Sequence, residues 1–122
     1  MYLVDTNIWL ERLLGQSGSE DVGLLLNVVP ATELLISDFS LHSVGVILGR
    51  LKRVDILPLF VSDIIDSGVG AVSIAAYNLT KVVDAMSSFL LDFDDAYQYV
   101  VAQQSNATII SFDKDFDKTD AS

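Results

Sequence analysis

The sequence has 122 residues, of which 51% are hydrophobic, so it is long enough for one domain with its own core and too short for two. It contains no cysteine and a single histidine, which excludes disulfides, thiolate metal sites and multi-histidine zinc sites and leaves hard cations with oxygen ligands. The formal net charge of -10, from 7 basic and 17 acidic residues, argues against a general polyanion-binding surface, so any contact with nucleic acid must be local.

The N-terminus begins with a strand-like run and lacks the basic stretch and apolar segment of a signal peptide. No apolar run approaches the roughly 18 residues of a membrane span. We therefore expect a cytoplasmic protein without a membrane association.

Hydrophobic periodicity, glycine and proline predict the elements of secondary structure. In chain order they are a strand at 2–4, helices at 5–14 and 19–27, a strand at 34–37, helices at 39–51 and 55–66, a strand at 71–76, a helix around 82–90, a helix from Asp94 or Asp95 to about 105, and a strand at 108–111. A polar loop is expected at 16–19. This alternation predicts a single α/β domain over 1–122, a three-layer α/β/α sandwich whose central parallel sheet has four to five strands.

Three apolar stretches of the chain each lead into aspartates. YLV precedes Asp5, LLDF precedes Asp94 and Asp95, and TIISF precedes Asp113, with Asp115 just beyond. If the first and last stretches are adjacent parallel strands, these carboxylates meet at the edge where open α/β sheets have their working crevice. Carboxylate pairs there repel each other by roughly 3 kcal/mol at about 5 Å and an effective dielectric constant of ~20. A divalent cation is the simplest compensation.

Each acid also has an explanation without a ligand. Asp5 by itself is explained as a helix cap, and Asp113 as part of a solvated acidic loop. The conjunction of the three stretches favours a site. Successive helical positions point roughly 100° apart, so at most one of Asp94 and Asp95 faces the crevice. Asp95 is preferred, because the small Ala96 next to it allows the helix to dock on the sheet.

Three segments resemble the motifs of the PIN domain, the metal-dependent ribonuclease fold that includes the VapC toxins of toxin-antitoxin pairs. They are 3–10 (LVDTNIWL), the opening motif, 93–102 (FDDAYQYVVA), the helix with an acid before alanine, and 109–116 (IISFDKDF), the closing strand and acidic loop. Their order and spacing match across nearly the whole chain.

The resemblance implies hydrolysis of RNA phosphodiester bonds by water activated by Mg²⁺ or Mn²⁺. It assigns Asp5, Asp95 and Asp113 as catalytic residues and metal ligands. Residues expected to support them are Thr6, Ser43, Asp94 and Asp115. The resemblance also implies a possible antitoxin partner and a homodimer.

The fourth acid of the family pattern is missing. The usual glutamate early in the helix after the second strand falls at Ser43 or, one residue away, at His42, and neither replaces a carboxylate. Asp38 is a candidate substitute, although helix capping is the favoured role for it. With one carboxylate absent, a single bound ion is expected rather than two.

Two other function classes remain. A PIN-like scaffold without its fourth acid can serve as a protein-binding module, and the missing glutamate is evidence for it. Aspartyl-phosphate chemistry also uses acids at strand ends, but it needs an acidic pair or a D-x-D motif after the first strand, and Asp5 is followed by Thr6 and Asn7. The nuclease is therefore preferred.

Overall fold

The computed structural model describes residues 1–15 and 18–121, so the loop predicted at 16–19 lies partly outside the described residues. The described chain forms four strands and six helices: β1 (Tyr2–Val4), α1 (Thr6–Leu13), α2 (Ser19–Val28), β2 (Leu34–Ser37), α3 (Asp38–Arg50), α4 (Ile56–Ser67), β3 (Gly70–Val72), α5 (Leu79–Phe89), α6 (Phe93–Gln104) and β4 (Thr108–Ile110). Short 3₁₀ segments cover Ala31–Glu33, Ala76–Asn78 and Lys114–Lys118. None of the described helices combines the length and apolar character needed to cross a membrane.

The four strands form one parallel sheet in the order β3-β2-β1-β4. Leu3 of β1 pairs with Leu35 of β2 and Ile109 of β4. Because side chains alternate along a strand, Leu3 packs into one core cluster with α5 and α6, whereas Val4 packs into a second cluster with residues of α1 to α4. The predicted three-layer α/β/α sandwich is therefore confirmed, with four strands.

The third strand is shorter than predicted. It was expected over 71–76, but β3 ends at Val72. Val72 pairs with Ser37, the last residue of β2, after which the chain turns into α3. Residues beyond Val72 have no neighbouring strand to pair with, because β3 lies at the sheet edge.

The helix caps also differ from the prediction. We expected Asp94 or Asp95 to open α6, but Asp92 is its N-cap, with its side chain accepting from the Asp95 N–H at 3.0 Å. Likewise Ser37, and not Asp38, caps α3 by accepting from the Ser40 N–H at 3.0 Å. An N-cap oxygen must reach an N–H two or three residues ahead, and these two side chains do so. The carboxylate of Asp95 is consequently not used for capping.

Candidate functional site

Carboxylates gather at the carboxyl edge of the sheet. Asp5 follows β1 and Asp113 follows β4, and the two strands are neighbours. The first turn of α6 brings Asp95 to the same edge. Asp95, Asp113 and Asp115 each offer a carboxylate oxygen, and these oxygens lie within 4.8 Å of one another. Oxygens that share one Mg²⁺ at about 2.1 Å are roughly 3 to 4 Å apart, so a small approach of these side chains would let them share a cation, and carboxylate oxygens are the ligand type that hard cations prefer.

The crowding of these acids changes the protonation of Asp95. Burial, a side-chain hydrogen bond to Asp113 and the negative charges of Asp113, Asp92 and Asp5 raise the pKa of Asp95 from 3.8 to about 8. A proton held between Asp95 and Asp113 therefore relieves their repulsion. A cation at the same place would relieve it as well, and would release that proton.

Asp5 stands beside this cluster and not within the three-acid group. Its carboxylate is 7% exposed and accepts from three donors. The Thr6 N–H and the Gln98 side-chain amide each donate to Oδ1 at 2.9 Å, and the Ser111 hydroxyl donates to Oδ2 at 2.7 Å. Ser111 Oγ also accepts from the Asp113 N–H at 2.9 Å. Ser111 thus links Asp5 to the backbone that carries Asp113.

Gln98 is the residue that the sequence reasoning missed. Its side chain is 1% exposed and joins β2, α3 and Asp5. Its Oε1 accepts from Ser37 Oγ at 2.6 Å, and its Nε2 donates to Ser40 Oγ at 2.8 Å as well as to Asp5. The signal that points to it is its place three residues after Asp95, on the same helix face, as a polar residue in an otherwise apolar stretch.

The predicted supporting residues have different surroundings. The Thr6 hydroxyl donates to Ser40 Oγ at 2.9 Å, so only the backbone of Thr6 contacts Asp5. Asp115, expected near the site, belongs to the three-acid cluster itself. Ser43 is half-buried on α3, and Asp94 is exposed in the first turn of α6. Neither contributes to the cluster.

Asp38 takes part in a contact outside the acidic cluster. The Tyr97 hydroxyl donates to both of its carboxylate oxygens, at 2.8 and 3.1 Å. Burial and the neighbouring Asp38 carboxylate raise the pKa of Tyr97. His42 is exposed on α3. Neither Asp38 nor His42 supplies a fourth ligand to the cluster in this arrangement.

A mostly apolar cavity lies away from these acids. It has a volume of about 240 Å³ and lies between α1, α2 and α4, with Trp9, Phe60 and Ile64 in its wall. None of the three cluster acids lines this cavity; Asp113 is half-buried and Asp115 is exposed. A ligand of the cluster would therefore contact carboxylate oxygens at the sheet edge and would not be enclosed in an apolar pocket.

Comparison with known proteins gives the family and the fold. The PIN domain profile matches residues 2–122, and no curated protein sequence matches. The chain resembles a chain of a toxin-antitoxin complex from Klebsiella pneumoniae, with 20% identity and a TM-score of 0.77 over 95% of this chain and 90% of that one. It also resembles VapC20 of Mycobacterium tuberculosis, a toxin that cleaves the sarcin-ricin loop, with 16% identity and a TM-score of 0.79 over 100% of this chain and 97% of that one. These likenesses show a shared fold, and the profile match over residues 2–122 shows that the chain belongs to the PIN domain family.

Proposed function

We propose that this chain is an endoribonuclease dependent on Mg²⁺ or Mn²⁺, and that it is the toxin of a VapBC-type toxin-antitoxin pair. The observation that carries the proposal is the cluster of Asp95, Asp113 and Asp115, with Asp5 beside it. Membership of the PIN family supports it. Fold likeness to a toxin described as cleaving the sarcin-ricin loop is consistent with it.

The acids have distinct roles in this proposal. Asp95, Asp113 and Asp115 would hold the cation, and Asp5 would contact it directly or through water, because Mg²⁺ keeps much of its hydration shell. When bound, such a cation lowers the pKa of a water molecule, orients the scissile phosphate and neutralises the charge that develops on its oxygens. Gln98 and Ser111 keep the Asp5 carboxylate in one orientation through their hydrogen bonds.

A protein-binding module is the second candidate, and one feature of the site favours it. The resemblance places the family's usual glutamate at Ser43 or His42, neither of which is a carboxylate, and earlier on α3 the neutral Ser40 hydroxyl accepts from Gln98, which also donates to Asp5. The α3 side of Asp5 therefore carries hydrogen-bonding groups without charge. A site with less negative charge holds a cation less tightly, and one ion is proposed rather than two.

Thermal unfolding with and without Mn²⁺ tests the metal site. A cation at about 100 times its Kd should stabilise the folded protein by about 2.7 kcal/mol and raise Tm by several degrees. Asp113→Asn should abolish this rise. Asp117→Asn is the matched control, since Asp117 is exposed in the 3₁₀ segment that directly follows Asp113 and lies outside the cluster. A melting curve that responds to neither Mn²⁺ nor Mg²⁺ would favour the binding module.

The proposal extends to an antitoxin as a partner of this chain. The cluster is suited to a basic side chain of an antitoxin, because an arginine or lysine would relieve the carboxylate repulsion as a cation does. The toxin role also predicts a homodimer and a cytoplasmic location. Loss of the Mn²⁺-induced rise in Tm when an antitoxin is bound would place the antitoxin's basic side chain in the cluster.

A further inference from the structure

Two exposed phenylalanines lie next to the acidic cluster in the chain. Phe93 is 45% exposed and comes two residues before Asp95, and Phe112 is 54% exposed and directly precedes Asp113. Tyr77 is the remaining exposed aromatic side chain of the described residues. Two of three exposed aromatic rings are therefore within two residues of a cluster acid. Both rings offer apolar surface to a ligand beside the proposed active site.

The ring of Phe93 rests on a fixed row of aromatic side chains. Its centroid is 6.2 Å from that of Tyr97, which is 5.9 Å from that of Phe39. The Tyr97 hydroxyl is bound to Asp38. Tyr97 is thus held at both its ring and its hydroxyl, and the Phe93 ring lies against it while Phe93 remains 45% exposed.

The two phenylalanines belong to different parts of the sheet edge. Phe93 belongs to the row that reaches Asp38 at the end of β2, whereas Phe112 follows β4 and its N–H donates to Asn7 Oδ1 at 3.3 Å. Strand β1, which carries Asp5, lies between β2 and β4. The segments that carry the two rings therefore reach the sheet edge on either side of β1, one towards β2 and one towards β4.

The negative charge of the protein favours a contact with RNA that does not depend on basic residues. With a net charge of -10, the surface offers little general attraction to a phosphate backbone. Lys118 contacts the cluster, but its Nζ is already paired with Asp115 Oδ1 at 3.5 Å. Stacking of nucleobases on aromatic rings does not depend on charge and is open to any base sequence.

We propose that Phe93 and Phe112 stack against the nucleobases on the two sides of the scissile phosphate of a single-stranded RNA. The inference rests on the proposed function for the identity of the ligand. A duplex does not suit the site, because its bases already stack on one another and are unavailable to aromatic side chains.

Binding of a fluorescently labelled single-stranded RNA of about eight nucleotides tests the proposal. Fluorescence anisotropy is followed in EDTA, so that affinity is measured apart from metal-dependent cleavage. Phe93→Leu and Phe112→Leu, which keep an apolar side chain but remove the ring, should each weaken binding by about tenfold. Phe93→Trp and Phe112→Trp should retain it. Tyr77→Leu, the matched loss of an exposed ring outside the cluster, should bind as the wild type does.

The outcomes separate this proposal from the proposed function. Leucine variants that bind RNA as tightly as the wild type would overturn the stacking, even if the wild type cleaves RNA in Mn²⁺. Unchanged RNA binding together with loss of a dimer would overturn it too, and would assign the rings to a second copy of the chain. Weakened binding with no Mn²⁺-dependent cleavage by the wild type would support stacking and refute the nuclease. Circular dichroism spectra and an unaltered rise in Tm with Mn²⁺, where the wild type shows one, establish that the leucine variants are folded.

Discussion

The site has two halves that are built in opposite ways. Asp5 is surrounded by neutral donors, from Thr6, Gln98 and Ser111, and its charge is hydrogen-bonded within the protein. Asp95 is surrounded by other carboxylates, and its pKa is raised to about 8. The first half is satisfied in the protein alone, whereas the second half requires a proton or a cation.

This difference explains how a fold tolerates so many acids at one edge. The hydrogen-bonded half fixes the position of Asp5 at little electrostatic expense, because the neutral amide of Gln98 adds no further charge. The repulsive half would supply the driving force for the proposed binding of a cation. Substitutions in one half should therefore differ in their effects from substitutions in the other half.

The largest effect is expected from a change in the repulsive half. Asp113→Asn should slow Mn²⁺-dependent cleavage of single-stranded RNA by about a thousandfold, because a bound cation supplies several kcal/mol of transition-state stabilisation. The rate of cleavage of a labelled RNA at saturating Mn²⁺ measures it. Asp117→Asn should cleave at nearly the wild-type rate. Equal rates for the two variants would contradict the assignment of Asp113 as a ligand.

The next largest effect is expected in the hydrogen-bonded half. Gln98→Leu leaves Asp5, Ser37 and Ser40 without their buried partner, so the free energy of unfolding should fall by about 2 to 3 kcal/mol. Urea unfolding in EDTA measures it. Gln104→Leu, at an exposed position of the same helix, should change the stability by no more than about 0.5 kcal/mol. Equal stabilities of the two variants would show that the network contributes nothing.

A charged replacement converts the hydrogen-bonded half into a repulsive one. In Gln98→Glu, burial and the neighbouring Asp5 carboxylate should raise the pKa of the new acid in the folded state. Its contribution to stability is then greatest below its unfolded pKa of about 4.3 and is lost as the pH rises. We expect Gln98→Glu to be more stable than Gln98→Leu in acid and less stable than it by about pH 8. A difference in unfolding free energy between the two variants that stays the same at all pH values would contradict this.

The smallest effect is a gain in stability. Asp95→Asn removes a charge from the repulsive half, so without metal it should stabilise the protein by about 1 kcal/mol at high pH, an amount limited by solvent screening. The sign follows from the pKa of Asp95, which is 3.8 unperturbed and about 8 in the folded protein. The folded wild type binds this proton more tightly than the unfolded wild type does. Its stability relative to the variant therefore decreases as the pH rises from 3.8 to about 8.

The measurement is the difference in unfolding free energy between Asp95→Asn and the wild type, in EDTA, across that pH range. Asp94→Asn, which changes the exposed neighbour, should show no such rise with pH. A loss of stability in Asp95→Asn at pH 8 would mean that Asp95 serves the fold rather than a cation.

Much of the fold was readable from local patterns. Apolar runs of strand length separated by segments of helical period predicted the order of elements, and the structure has the parallel sheet that this order implies. The short β3 was less predictable, because its length is set by where β2 ends and not by its own residues. The caps Ser37 and Asp92 were missed for a similar reason, since a cap depends on backbone geometry that several neighbouring polar residues could adopt.

The sequence by itself predicted that Asp5 and Asp113 follow buried strands and that Asp95 lies at the start of a helix beside them, and hence that the three belong to one edge of a parallel sheet. Only the tertiary structure decided which oxygens meet. It placed Asp115 in the cluster, held Asp5 beside it, and buried Gln98 among Ser37, Ser40 and Asp5. The physical reason is that hydrogen bonds and like-charge contacts act over a few ångströms between residues as many as 106 positions apart in the chain, and hydrophobic periodicity carries no information about those distances.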